Sequence, residues 1–387
     1  MRTSFQQLLP AGISSFERLI SQNQVYADKT AQIGDLLENG QKYFLTRPRG
    51  FGKTLLLSAF ESLFRHGLRD FRGLEIEKRW KEEPASAVVS LDFSKLRGFQ
   101  DAREFRALLA RHLASRLARE KFIPEMPAPG AGERVFADWL ASQPVSSTVI
   151  LIDECDAPFA DCLDRPELFR EASAILSRFY ALLKSEDRAV RFLFIAGVTR
   201  LSDAALFPSL NTLRDISLSP QFGGLLGFTE EEILKYFPDR LQRAAECRGA
   251  GVPALTDDLR RHYDGYCFDS AASTHVYAPG PVLSFLSRPE DGFPGIALAD
   301  SRTPDALLRR LRALAPRALA RAEDERCADL ERLRSAQDPE DPDGLALLAQ
   351  AGYLTVKRVE EETAFLSFPN ISAKESLAGL CREPACH

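Results

Sequence analysis

The chain has 387 residues and a mass of 43.1 kDa, with 50 Lys plus Arg against 55 Asp plus Glu, a formal charge of −5. Apolar residues make up 45% and charged residues 27%, which excludes a disordered chain. The mild acidity argues against a protein whose whole surface binds nucleic acid and leaves a local basic patch open. At about 150 residues per domain, two or three domains are expected, each large enough to bury a core without disulfides.

Through about residue 220, apolar runs of strand length alternate with segments of helical period. Lys42–Thr46 reads as a strand, Thr54–His66 as a buried helix and Ala87–Phe93 as a second strand. Asp101–Lys121 reads as an amphipathic helix with Asp101 as its N-cap, and Glu125–Glu133 as a Pro/Gly loop. Thr148–Ile152, TVILI, is a continuous apolar run, as in a parallel strand buried on both faces. Pro166–Ser185 reads as helix, Arg191–Val198 as another buried strand and Asp215–Leu218 as a last one. This alternation predicts an α/β fold with a parallel sheet. Beyond Phe228, Thr229–Cys247 opens as a helix with a capped acidic turn, and helices are expected to about Ser335. Asp338–Gly344 marks a boundary. After it, a helix at Leu345–Gly352 and alternating runs at Tyr353–Arg358 and Thr363–Phe368 outline a winged-helix-like module.

The seven cysteines form no C-x-x-C pair and read as reduced thiols in a cytosol; the five histidines show no zinc spacing. No apolar signal segment opens the chain, and no window approaches about 18 uninterrupted apolar residues. A cytoplasmic protein with no membrane partner is therefore expected.

The chemistry concentrates in FLTRPRGFGKTLLL, Phe44–Leu57. A strand, a glycine-containing loop and a helix start in succession place backbone N–H groups and a helix dipole toward an anion. Arg47, Pro48, Arg49, Gly50, Phe51, Gly52, Lys53 and Thr54 form the candidate nucleotide-binding loop. Lys53 is expected to reach the β- and γ-phosphates and the Thr54 hydroxyl to ligate Mg²⁺. Arg47 stands where G-x-x-x-x-G-K-[ST] has its first glycine. A left-handed conformation there would cost about 1 kcal/mol or more. Downstream, VILIDECDAP (Val149–Pro158) ends a buried strand in two acids. Asp153 is the candidate metal ligand and Glu154 the candidate residue that orients the attacking water. Asp156 is either a third polar group of the site or an N-cap. In FIAGVTRLSD (Phe194–Asp203), Thr199 is a candidate sensor of the γ-phosphate, and Arg200 either contacts phosphate or forms a structural ion pair. Arg214 is a weaker candidate for stabilising charge.

LPAGISSFERL, VYADKT, FLTRPRGFGKTLLLS, VVSLDFS, LIDECDAP and GVTRLS, in that order, resemble the bacterial AAA-ATPase-like domain family. So do LNTLRDISL, LLGFTEEEI, YDGYCF, VYAPGPVLSFL and LLAQAGYLTVK further on. The resemblance implies an additional-strand P-loop NTPase core over residues 1–225, a helical lid over 226–336 and the winged-helix-like region over 337–387. It also implies ATP and Mg²⁺ as ligands, and that arginine at the Arg47 position is the family's usual form. By the same analogy, Tyr26, Asp28 and Lys29 pass near the adenine. Ala278 departs from the family's usual asparagine. Relatives are often fused to a PD-(D/E)XK nuclease, but none of the 11 lysines here has Asp or Glu two positions before it, so nuclease activity is not expected. Three functions remain open at this point: ATP hydrolysis driving a conformational change, a slow nucleotide-gated switch working with a protein effector, and contact with nucleic acid through the arginine-rich Arg302–Arg326. The oligomeric state is not legible.

Overall fold

The computed structural model describes residues 8–10, 12–81, 83–201, 213–321, 324–334 and 344–382. Helices α1 (Phe16–Ser21) and α2 (Thr30–Asn39) precede strand β1 (Lys42–Thr46), which leads through the loop into α3 (Lys53–His66). Then come β2 (Ala87–Asp92), α4 (Ala102–Arg119), α5 (Gly132–Ala141), β3 (Thr148–Asp153), α6 (Ala157–Asp161), α7 (Pro166–Ser185), β4 (Val190–Gly197) and the two-residue β5 (Arg214–Asp215). These five strands form one parallel sheet in the order β2-β3-β4-β1-β5. β4 is thus inserted between the strand that feeds the loop and the strand that carries the acids. This is the sheet of a P-loop NTPase core, with the expected additional strand.

Local sequence explains the elements. Every residue of β1 is buried, as are the first five of β3, so both run apolar without alternation. In α3, Leu56, Phe60, Leu63 and Phe64 recur at helical spacing and are buried; Phe60 and Phe64 pack their rings on Phe192 of β4. Each such side chain contributes roughly 1.5–3 kcal/mol by leaving water. Asp101 caps α4 as expected, its carboxylate accepting from the Glu104 N–H at 2.8 Å.

The second half contains α8 (Glu230–Tyr236), α9 (Pro238–Cys247), α10 (Val252–Tyr263), the short pair β6 (Tyr266–Cys267) and β7 (His275–Val276), α11 (Pro279–Ser287) and α12 (Asp305–Ala320). The single helix expected over Thr229–Cys247 is two. The Thr229–Glu232 capping box starts the first, and the chain breaks at Phe237 because Pro238 lacks an N–H and opens a new helix at its first position. Next come β8 (Arg326–Asp329), α13 (Leu330–Arg334), α14 (Gly344–Gln350), β9 (Thr355–Glu360), β10 (Thr363–Ser367) and α15 (Ile371–Arg382). The expected helix and hairpin are present. β8, which the arginine-rich run concealed, adds a third antiparallel strand beside β10. Residues 335–343, with the boundary expected there, and the tail residues Cys386 and His387 lie outside the described residues. The six described cysteines are unpaired thiols. Among the described residues, no helix is long and apolar enough to cross a membrane.

Candidate functional site

The loop after β1 is anchored before it reaches the site. The Thr46 N–H donates to Ser217 Oγ at 2.9 Å and the Arg47 N–H to the Gly197 carbonyl at 3.2 Å. The Arg47 side chain is 1% exposed. Its guanidinium donates to the carbonyls of Thr46 (2.8 Å), Ser217 (2.7 Å) and Phe222 (3.0 Å) and lies 4.4 Å from the Phe268 ring centre. Burial pushes its pKa down to about 9. Arg47 is absent from the residues with positive φ, so the feared strain does not arise. The side chain braces the loop against residues 217–222 rather than facing a ligand. Phe51 likewise packs edge-on against Tyr266 and Phe268, at 4.9 and 5.1 Å. The loop's bends fall on Gly50 (φ +80°) and Gly52 (φ +97°), and Gly52 is the N-cap of α3. Pro48 packs against Gly352.

Two motifs 99 residues apart meet at the helix start: the Thr54 hydroxyl donates to Asp153 Oδ2 at 2.6 Å. Asp153 Oδ1 accepts from the Glu154 N–H at 2.9 Å. Burial raises the Asp153 pKa, while the Thr54 hydrogen bond and the Lys53 ammonium pull it back. Lys53 is 5% exposed, and its ammonium donates to the carbonyls of Arg47 (2.8 Å) and Pro48 (3.1 Å). Burial lowers its pKa against the attraction of Glu154, Asp153 and Asp156. Glu154 sits at φ +52°, a left-handed conformation that costs a non-glycine residue about 1 kcal/mol. Its pKa is raised by burial, with Lys53 opposing. Arg49 reaches Glu154 at 4.0 Å and Asp300 at 3.8 Å.

The end of β4 is arranged differently. Asp156 occupies the N-cap position of α6 without capping it; its buried carboxylate accepts from the N–H groups of Val198 (2.9 Å) and Thr199 (2.8 Å) and from the Thr199 hydroxyl (2.6 Å). Gly197 makes room for this, since a Cβ there would fall 2.8 Å from Asp156 Oδ1 and from Cys155 Sγ. Arg200 pairs with Asp215, and its N–H donates to Gln350 Oε1 at 2.7 Å. Arg214 is exposed on β5. Asp28 also turns away from the loop: it accepts from the N–H and hydroxyl of Thr30 (2.8 and 2.6 Å) and from the Glu75 N–H (2.9 Å). The structure thus unites the loop, Lys53, Thr54, Asp153 and Glu154, and it turns the side chains of Arg47, Thr199, Arg200 and Asp28 to other partners.

A family profile described as Predicted AAA-ATPase matches residues 10–207. The chain belongs to this family. An uncharacterized protein in the vnfD 5′ region of Azotobacter chroococcum mcd 1 is 33% identical over 396 residues, spanning 95% of this chain and 69% of that protein. Among solved structures, a Walker-type ATPase of Pyrococcus abyssi aligns over 92% of this chain and 95% of its own, with a TM-score of 0.42 and 15% identity.

In this AAA-ATPase-like chain two cavities flank Arg49. One, of about 390 Å³, runs along the loop and is walled by Val25, Tyr26, Lys29, Leu226, Phe228 and Leu283. The other, of about 760 Å³, lies on the far side, between α3 and α4. Arg49, Thr54, Glu154 and Arg302 line both. In the sequence Arg302 figured only as the start of the arginine-rich stretch, and nothing in the local pattern marks its partner Asp300 (2.6 Å).

Proposed function

We propose that the chain binds ATP with Mg²⁺ and hydrolyses it, using the change in bound nucleotide to drive a conformational change. The observation that carries this reading is the 2.6 Å contact between Thr54 and Asp153. It brings together two hard oxygen donors of the kind Mg²⁺ takes alongside phosphate oxygens. When bound, the ion would neutralise charge on the β- and γ-phosphates. The amides of the loop and of the start of α3 grip the phosphates, and Lys53 exchanges its two carbonyl partners for phosphate oxygens. The apolar wall of Val25, Leu226, Phe228 and Leu283, with Tyr26, supplies a place for the base. Glu154 orients a water for in-line attack. As organisation, residues 1–225 form the ATPase unit, 226–336 its lid and 337–387 a third region.

A second reading, a slow switch acting on a protein effector, draws on the approach of Arg49 to Glu154 at 4.0 Å. The two readings part in turnover measurements on wild type and Glu154→Gln. Hydrolysis lost in the variant with ATP affinity retained supports the enzyme; equal, negligible turnover with retained binding supports the switch. Nucleic acid has no place in the proposal. In the arginine-rich stretch, Arg302 pairs with Asp300, Arg309 with Asp164 and Arg321 with Asp324, and Arg326 donates to the carbonyls of Ala318 and Arg321.

A further inference from the structure

The basic side chains around the loop are unequally committed. Arg47 donates to three carbonyls and Lys53 to two, and Arg200 is paired with Asp215. Arg302 donates twice to Asp300 Oδ2, from Nε at 2.9 Å and from Nη2 at 2.6 Å. Arg49 differs from all of them. Its side chain is only 14% exposed, yet among the described residues its guanidinium donates no hydrogen bond. Two acids stand off from it, Glu154 Oε2 at 4.0 Å from Nη2 and Asp300 Oδ1 at 3.8 Å from Nη1. Charge holds the side chain between two carboxylates without fixing its planar fork of N–H groups on either.

The guanidinium is not sealed in. None of its nitrogens is among the partnerless polar atoms closed off from solvent, and Arg49 lines both cavities. Its donors therefore open onto the space it shares with Thr54 and Glu154. A fork of this kind takes two oxygens of one phosphate at once. Position selects which phosphate. Glu154 is the carboxylate that orients water against the γ-phosphorus, and Arg49 stands beside it. Thr199, expected to sense that phosphate, is held by Asp156 at the end of β4 instead.

We infer that Arg49 is the residue that tells a nucleoside triphosphate from a diphosphate: its guanidinium leaves Glu154 and Asp300 for the γ-phosphate. This rests on the nucleotide reading above. Drawing Arg49 off Glu154 leaves that carboxylate free for the water. Drawing it off Asp300 releases a contact between the loop and the segment that precedes α12.

Isothermal titration of ADP and of the non-hydrolysable β,γ-imido analogue of ATP, each with Mg²⁺, into the full chain tests this. Arg49→Ala is expected to weaken the analogue relative to ADP by about tenfold or more, with ADP affinity within about twofold of wild type. The free protein has no Arg49 side-chain hydrogen bond to lose among the described residues, so the melting temperature should hold. Arg49→Lys, which keeps the charge and gives up the fork, should fall between the two. An unchanged ratio of affinities in Arg49→Ala overturns the inference; if ATP turnover rises as well, Arg49 is only a restraint on Glu154. An equal loss of both affinities also overturns it, and makes Arg49 a builder of the loop. Wild type that binds neither nucleotide removes the nucleotide reading itself, and this inference with it.

Discussion

The carboxyl ends of β3 and β4 lie side by side and read alike in sequence, an apolar run followed by polar residues. Their fates differ. At β3 the polar residues leave the core: Asp153 meets Thr54, and Glu154 turns through a left-handed conformation to reach Arg49. At β4 they are taken inward, Thr199 by Asp156 and Arg200 by Asp215. The side-chain types do not decide this. Gly197 opens a space that the Asp156 carboxylate fills, and once filled it claims the Val198 N–H and both donors of Thr199 at the end of β4. A polar residue at a strand end therefore serves a ligand only where no nearer acceptor has reached it first.

The strongest way to break the contrast is Lys53→Ala. It should lower ATP turnover by about 100-fold or more, in steady-state assays, with little change in melting temperature, because it removes a buried cation as well as its bonds. An unaffected turnover would remove the end of β3 from the chemistry. Asp156→Ala should do the reverse: it strips the acceptor from three buried donors and costs about 3 kcal/mol, visible in denaturant unfolding. Thr199→Val loses one of those bonds and should cost about 1 kcal/mol, with turnover within a few-fold of wild type. A large fall in turnover at unchanged stability would return Thr199 to the role of γ-phosphate sensor. The smallest effect on stability should come from Asp153→Asn. The folded pKa of Asp153 is raised, so the native state holds more protons than the unfolded chain between the ordinary aspartate value and the raised one. That contribution to stability is full below the window and is lost as pH rises through it. Amidation removes the loss, so at pH 7 the variant should unfold at a higher denaturant concentration than wild type while losing activity. At a pH below the window, the gain should vanish in the same unfolding assay.

What the sequence showed plainly was whatever is encoded within a few neighbouring residues. β1 fell on Lys42–Thr46 and α7 on Pro166–Ser185 residue for residue, because continuous apolar runs and a proline at the first helical turn are local signals. The candidate loop of residues 47–54 and the DE pair were legible for the same reason, and strand–loop–helix order implied that they would converge. Arg47 was opaque as a brace, since its acceptors at Ser217 and Phe222 lie 170 and 175 residues downstream. β8 was hidden because Arg326–Asp329 is too short to show a period and is a strand only by virtue of its pairing with Thr363–Leu366. The break at Pro238 was readable, but the helical period on either side of it outweighed the proline. Asp28 looked like part of a ligand wall because analogy placed its whole segment there, whereas its carboxylate is spent on the start of α2 and on Glu75.

Gly352, at the turn leading into β9, holds φ +91°, and a methyl group there would fall 2.8 Å from Pro48 Cβ. Tightly packed interiors have low compressibility and pass displacement on. The backbone at Gly352 is therefore seated directly behind the loop that follows β1, and any side chain at that position has to displace Pro48 to fit.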